Sequence, residues 1–415
     1  RASGLGHILA ISGLHMALIS GAAFWMVRAL LASSPGLAQR RPIKKWSAIG
    51  ALLVATFYLG ISGAHVATQR AYVMLAIMLL AVLLDRRAIT LRNVALAAFV
   101  LLIIAPESIL TASFQMSFAA TIALVATYEE LTAWSQSRPQ LVDRHASGLS
   151  GWAWRFIIGL VVTSFVAGLA TTPFAIYHFQ RAAPLTMMAN LLAMPLFGLL
   201  VMPMAFLSVL AMPFGLESLP LTVMSWGLSW IIDIAHQVSD LTGPAGGVRM
   251  VPALSLGLVV AGFLWLALWR RPWRIFGLIP IVLAVPLAAL APRADILVGA
   301  DGTAAAARGA DGRLTMIAAT NARFTIENWL RTDADPRNVD AGDLSDGVRC
   351  DPLGCIAELD DRGKLSVVLR PGAFAEDCHL ADIVVSRFEA PPSCGNKAVV
   401  IDRGRLSHFG AHALY

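Results

Sequence analysis

Charged side chains are scarce: 14% of the 415 residues, against roughly a quarter in soluble domains. A chain so poor in charge cannot cover a globular surface with groups that water solvates well. With 57% of residues apolar, disordered, collagenous and disulfide-dense secreted classes are excluded as well. Acidic residues are scarcest early, with eight Asp or Glu in residues 1–292 beside 18 Lys or Arg. Residues 293–415 reverse this with 18 acidic and 14 basic side chains, so nets of +10 and −4 make up the overall +6. Cysteine is absent before residue 293, and all four, Cys350, Cys355, Cys378 and Cys394, lie beyond it. No P-loop is present, so the sequence carries no nucleotide-hydrolysing motif of that kind.

Long apolar runs are plentiful. A hydrocarbon core about 30 Å thick needs roughly 20 mostly apolar residues per helix. Such runs fall at about 8–31, 47–63, 68–84, 91–105, 109–128, 155–176, 184–213, 219–240, 251–269 and 275–292. The expected fold is therefore a polytopic α-helical membrane bundle of about ten spans over 1–292, followed by a small, mainly β soluble domain over 293–415. The run at 91–105 is short. That at 184–213 is long and interrupted by Pro195, Pro203 and Pro213, which reads as a kinked helix, two half-spans or a functional break.

Basic residues give the bundle a direction. With alternating spans, Arg28, Arg40, Arg41, Lys44, Lys45, Arg86, Arg87, Arg92, Arg138, Arg144, Arg155, Arg270, Arg271 and Arg274 share one side. Arg1, Arg70, Arg181 and Arg249 share the other. Fourteen against four makes the first side cytoplasmic. The 293–415 domain is then extracytoplasmic, where four cysteines suggest disulfides with three pairings open. A zinc site would want close pairs, and only the gap between Cys350 and Cys355 resembles one. The chain opens at Arg1 without a signal-peptide pattern, and is expected to be a fragment lacking its natural N-terminus.

Polar groups inside apolar runs are costly and tend to face a bundle interior or a water-filled path. GLGHILAISGLHMALISG carries His7, Ser12, His15 and Ser20, with Gly6, Gly13 and Gly21 allowing close backbone approach. HVATQRAYVM carries His65, Thr68, Gln69 and Arg70, where Arg70 is either a snorkelling interfacial side chain or a phosphate contact at a pore entrance. SFQMSF carries Ser113, Gln115 and Ser117, for which helix-to-helix bonding is the plain alternative. Pro173, His178, Gln180, Arg181 and Asn190 surround the next outer loop, and Asp233 with His236 can share a helical face. Amides, hydroxyls and imidazoles dominate this inventory while carboxylates are nearly missing. That suits a polyanion better than a proton-coupled cation.

SGLHM, QRAYVM, SFQMSF and ANLLAMP, in this order and spacing, resemble the ComEC-type competence family, bacterial inner-membrane channels that pass single-stranded DNA into the cytoplasm during natural transformation. The resemblance covers roughly residues 1–240. It implies a DNA path through Ser12, Gly13, His15, Gln69, Arg70, Gln115, Ser117, Pro173 and Asn190. It implies single-stranded DNA and the lipid bilayer as partners, with a periplasmic DNA receptor and a cytoplasmic motor or helicase beside them. No cofactor is expected. Trp25, Phe114, Phe118, Tyr177 and Phe179 lie near the polar clusters as stacking or interfacial aromatics. Family members often carry a metallo-β-lactamase-like domain, which needs an HxHxDH-type cluster to converge on metals. Beyond residue 292 the histidines are His379, His408 and His412, none at that spacing, although Asp377 and Asp382 flank His379. A degenerate, metal-free relative and no enzyme is therefore expected, with a membrane nuclease or a small-solute transporter as alternative functions. Within that domain the pattern predicts Asp-Gly turns between apolar segments, strands in KLSVVLRPG and ADIVVSRF, and a hairpin in NKAVVIDRGRLSHFG.

Overall fold

The computed structural model describes residues 13–137, 149–181, 185–242, 247–318, 322–359 and 363–415. It divides into two compact units, Arg1–Gly246 with Leu256–Ala284 and Gly247–Ser255 with Val285–Tyr415.

The first unit is helical. Its helices are α1 (Gly13–Ala32), the short α2 (Pro35–Arg40), α3 (Ile43–Ile61), α4 (Val66–Leu83), α5 (Leu91–Ile104), α6 (Ala112–Ser137), α7 (Leu149–Phe179), α8 (Thr186–Leu196), α9 (Met202–Ala211), α10 (Ser218–Thr242), α11 (Ala253–Leu268) and α12 (Leu278–Ala289). The boundaries of the two units along the chain fall within α11 and α12. Small residues decide the close packing: Ala48, Ala51 and Ala55 of α3 are fully buried, and a Cβ added at Gly50 would come within 3.1 Å of Val27 on α1. Thr90 caps α5 by accepting from the Asn93 backbone N–H at 3.3 Å.

Among the described residues, six helical stretches are long and apolar enough to cross a membrane. They are His15–Ala32, Val66–Leu83, Trp154–Phe179, Met188–Phe214, Ser218–Leu241 and Pro272–Ala289. Length and composition thus support six of the ten expected spans among the described residues. Helices α5 and α11 are apolar but short, with 14 and 16 residues rising only about 21 and 24 Å. Lys44 and Lys45 lower the hydropathy of α3, and Glu129, Glu130 and several hydroxyls lower that of α6.

The proline-interrupted run at 184–213 is not severed. Helices α8 and α9 join through a π-helical turn, Phe197–Val201, in which the Met202 N–H bonds to the Phe197 carbonyl. Pro195 and Pro203 flank this turn and cannot donate to the ladder. A wider turn takes up the displaced carbonyls without breaking the chain's helical course.

The second unit is a two-sheet sandwich with helices outside. Strands β1 (Ile296–Val298), β2 (Ala304–Arg308), β3 (Leu314–Ala318) and β9 (His412–Leu414) form an antiparallel sheet in the order β3-β2-β1-β9. Strands β4 (Val348–Cys350), β5 (Gly354–Glu358), β6 (Lys364–Val368), β7 (Ile383–Ser386) and β8 (Val399–Ile401) form the other, antiparallel through β6 and parallel from β6 to β8. Ala305, Ala307 and Ile317 pack against Ala357, Leu365 and Val367 between the sheets. Ala304 and Ala306 face the opposite way, with Trp329 and Leu330 of α13 (Arg323–Thr332). Strand β2 is covered on both faces, which is why its sequence is an alanine run with no polar alternation. On the far face of the second sheet, Val368 and Val384 meet Phe374 and Cys378 of α14 (Phe374–Leu380).

Both Asp-Gly turns stand where the pattern places them, with positive φ at Gly302 and Gly312. The expected hairpin at 396–410 does not form. Strand β8 joins β7 in parallel, and the residues after it make helix α15 (Arg403–Phe409), started by Asp402 accepting from the Arg405 N–H. An N-cap aspartate outweighs the strand-like reading of so short a segment. The four cysteines are joined as Cys350–Cys355 and Cys378–Cys394.

Asp377 is buried and accepts from Ser366 Oγ at 2.7 Å. Burial pushes its carboxyl above the ordinary carboxylate range, against the opposing pull of the Ser366 hydrogen bond. Folding therefore favours the protonated acid, and that stability is complete below the ordinary carboxylate pKa and lost as pH rises through the raised value. Asp377→Asn is expected to stabilise this unit at pH 7 by about 1 kcal/mol, the scale of one buried polar group, and to matter little at pH 3. Thermal unfolding across that range checks it. A variant difference that does not grow with pH would refute it.

Candidate functional site

One end of the helical unit gathers polar side chains from three helices. Arg70 lies in the second turn of α4, and its Nη2 donates to Ser113 Oγ at the start of α6. Two residues further, Gln115 meets His178 at the end of α7, with Oε1 and Nε2 2.8 Å apart. The Gln115 amide also donates to the Ile109 carbonyl at 2.9 Å, closing the turn that enters α6. Gln69 does the same for α4, donating to the Ala64 carbonyl at 2.8 Å. A Cβ added at Gly13 would lie 3.6 Å from that of Ala71, so α1 passes beside the Arg70 turn.

Arg70 is only 6% exposed, and its Nε and Nη1 have no hydrogen-bond partner among the described residues. Thr68 Oγ1, fully buried two residues earlier, is also without one. A guanidinium held away from water with two unmet N–H groups is costly. Donors left open in this way can receive an anion without first breaking protein contacts.

The other expected path residues are spread along the bundle. His15 meets Phe197 edge-on at 5.1 Å, so α1 touches the π turn between α8 and α9. Asn190 on α8 has a buried Oδ1 without a hydrogen-bond partner among the described residues. Ser117 lies one turn below Ser113, and its carbonyl accepts from Thr121. Pro173 sits inside α7 beside Phe174, which packs with Ala119 and Leu256. Ser12 and His7 fall outside the described residues. Asp233 and His236 share α10 but are both exposed, and no hydrogen bond joins them.

Charges gather at the far ends of the same helices. Lys45 pairs with Asp85 at 2.6 Å, Arg270 with Glu129 at 2.5 Å and Arg274 with Glu130 at 3.0 Å. Glu129 lies 16 residues beyond Ser113 on α6, about 24 Å along the axis. One end is thus rich in ion pairs, and the other holds the buried Arg70 among amides and an imidazole.

Sequence patterns singled out Arg70 and Gln115 but not the pairs they make. Ser113 is 43 residues from Arg70, and His178 is 63 from Gln115. No local spacing carries that information. A double-mutant cycle with Gln115→Leu and His178→Leu should show coupling of about 0.6 kcal/mol, the usual size for polar pairs between membrane helices. Additive losses in thermal unfolding would deny the contact.

The chain is similar to known competence proteins. Over 241 residues the chain is 26% identical to ComE operon protein 3 of Bacillus subtilis (strain 168), covering 57% of this chain and 27% of that protein. Over 76 residues it is 38% identical to Competence protein ComA of Neisseria gonorrhoeae, covering 18% of this chain and 11% of that one. The chain spans about a quarter of the length of the first relative. No solved structure matches it. The model of the Competence protein family matches residues 1–273, which include every residue of the polar cluster, and the chain belongs to that family.

Proposed function

We propose that this chain is the membrane part of an inner-membrane channel that passes single-stranded DNA into the cytoplasm during transformation. Arg70 carries the reading: a buried cation with unmet donors, at the end of a helix bundle, suits successive phosphates moving past it. His15, Gln115, Ser117, Pro173 and Asn190, with Ser12, Gly13 and Gln69, are the remaining path candidates. Ten crossings fit this role, the six membrane-length stretches together with α3, α5, α6 and α11. The ion pairs at the far helix ends support an arrangement in which those helices cross side by side. The bias of basic residues puts that charged end in the cytoplasm and the C-terminal domain outside. A periplasmic DNA receptor and a cytoplasmic motor would feed and pull the strand, since the sequence has no nucleotide-hydrolysing motif of its own. Radiolabelled DNA supplied to a deletion strain should then leave no label in the cytoplasm. Normal uptake would overturn the proposal.

We take the C-terminal domain as a degenerate lactamase-like appendage and not a nuclease. His379 lies 2.8 Å from Lys397 Nζ and His412 2.8 Å from the Gly410 carbonyl, on separate elements. The purified chain with Mn²⁺ or Zn²⁺ should leave single- and double-stranded DNA intact. Cleavage that needs the domain would overturn that assignment.

A further inference from the structure

The C-terminal unit holds a cavity of about 690 Å³ where its membrane-length helix ends. Val285, Ala288 and Ala289, from the last turns of α12, give it an aliphatic floor. The Met250 N–H donates to the Thr332 carbonyl at 3.0 Å, fixing the segment that carries Arg249 against the end of α13.

Three arginines line this cavity: Arg249, Arg293 and Arg313. All are exposed, and no hydrogen bond or ion pair engages their guanidinium groups among the described residues. Two carboxylates also line it, but both are already matched. Asp333 is gripped by Arg308 at 2.7 and 3.0 Å, and Asp335 by Arg337 at 2.6 Å. Arg249 and Arg293 therefore stand without a carboxylate partner among the described residues, while Arg313 acts on Asp335 through its charge without an ion pair, and with Arg308 and Arg337 beside them the guanidinium groups here outnumber these two carboxylates.

An occupant must satisfy an aliphatic floor and three guanidinium groups at a membrane boundary. No aromatic side chain lines the cavity, so bases would find no stacking platform. A free inorganic anion would leave the floor bare. An amphiphile with a phosphodiester head answers both demands, and arginine matches phosphate oxygens bidentately.

We propose that this cavity binds the headgroup of an anionic phospholipid, with the aliphatic floor taking the start of its acyl chains. The site is separate from the polar cluster and does not depend on the DNA-uptake reading.

The test uses the full chain in detergent, titrated with phosphatidylglycerol and, separately, phosphatidylcholine, with binding read by native mass spectrometry. Phosphatidylglycerol should bind at least tenfold more tightly. Each arginine near such a surface contributes about fivefold, so Arg249→Gln, Arg293→Gln and Arg313→Gln together should weaken binding on the order of 100-fold. Because these side chains are exposed, loss of folding is not expected. Ala288→Trp provides a second check, since it fills the floor while keeping the arginines and should also lose phosphatidylglycerol. Equal affinity for the two lipids, or unchanged binding in both variants, would overturn the proposal. So would displacement of the lipid by micromolar oligothymidylate, which would mark a nucleic-acid site, or by inorganic phosphate at equal affinity, which would mark a simple anion site.

Discussion

Arg70→Met is expected to cut transformation at least a hundredfold while the protein stays in the membrane and unfolds no more easily than the parent. The two halves of this expectation follow from the same geometry. Among the described residues, Arg70 is buried with one bond to Ser113 and two unmet N–H groups. Each unmet buried donor costs about 1–3 kcal/mol, so a methionine of similar length removes a burden from the fold. A transported phosphate loses its buried charged partner at the same time. Charge-assisted hydrogen bonds are worth about 1.5–3 kcal/mol each, and losing two of them suffices for a factor of a hundred. Arg70→Lys should fall between, since a point charge replaces the planar fork. If Arg70 were a purely structural cation, its loss would destabilise the bundle by about 3–5 kcal/mol. Transformation frequency and the thermal midpoint in detergent, measured on the same variants, separate these outcomes. Unchanged transformation, or a loss explained by disappearance of the protein, would sink the assignment.

Removing the Cys378–Cys394 link should be the most costly change in the C-terminal unit. The bridge closes a loop of 16 residues, worth about 3 kcal/mol of unfolded-chain entropy, whereas the five-residue separation of Cys350 and Cys355 gives about 2 kcal/mol. Cys378 and Cys394 are also buried at 5% and 0% exposure, under the face that packs Phe374 and Val384. Cys350 and Cys355 are already opposite each other in the β4–β5 ladder, so their bridge adds less that pairing has not supplied. With Cys378→Ser and Cys394→Ser together, hydrogen exchange of β6 and β7 should accelerate more than a hundredfold. Dithiothreitol, which also opens Cys350–Cys355, should bring the parent chain to at least that rate. Exchange unaffected by the substitutions would show that the bridge does not hold this core. The same bond bears on sidedness, because disulfides persist outside the reducing cytoplasm. Alkylation of these cysteines in intact, unreduced cells would contradict an extracytoplasmic domain.

Particular elements show how far local patterns reach. The runs at 68–84, 155–176 and 219–240 emerged as membrane-length helices because apolar length alone decides them. The runs at 91–105 and 251–269 became helices too short to satisfy the same measure, since a few residues at each end separate a crossing from a buried segment. Prolines in 184–213 marked the right place but not the outcome, a π turn that keeps α8 and α9 continuous. The hairpin expected over 396–410 failed because its first strand, β8, pairs in parallel with β7 and the residues after it form helix α15.

Composition and period were enough to establish a basic, charge-poor helical membrane portion, a cysteine-bearing acidic domain after it, and motifs whose order carries the family. These depend on short-range quantities: the hydropathy of a window, the spacing of turns, the sign of a loop. Which residues meet was settled only by tertiary structure. Arg70 needed Ser113, Gln115 needed His178, and the three arginines of the cavity in the C-terminal unit come from positions 44 and 20 residues apart along the chain. Contacts of that kind arise from how helices and sheets pack, and nothing in either local sequence specifies the partner.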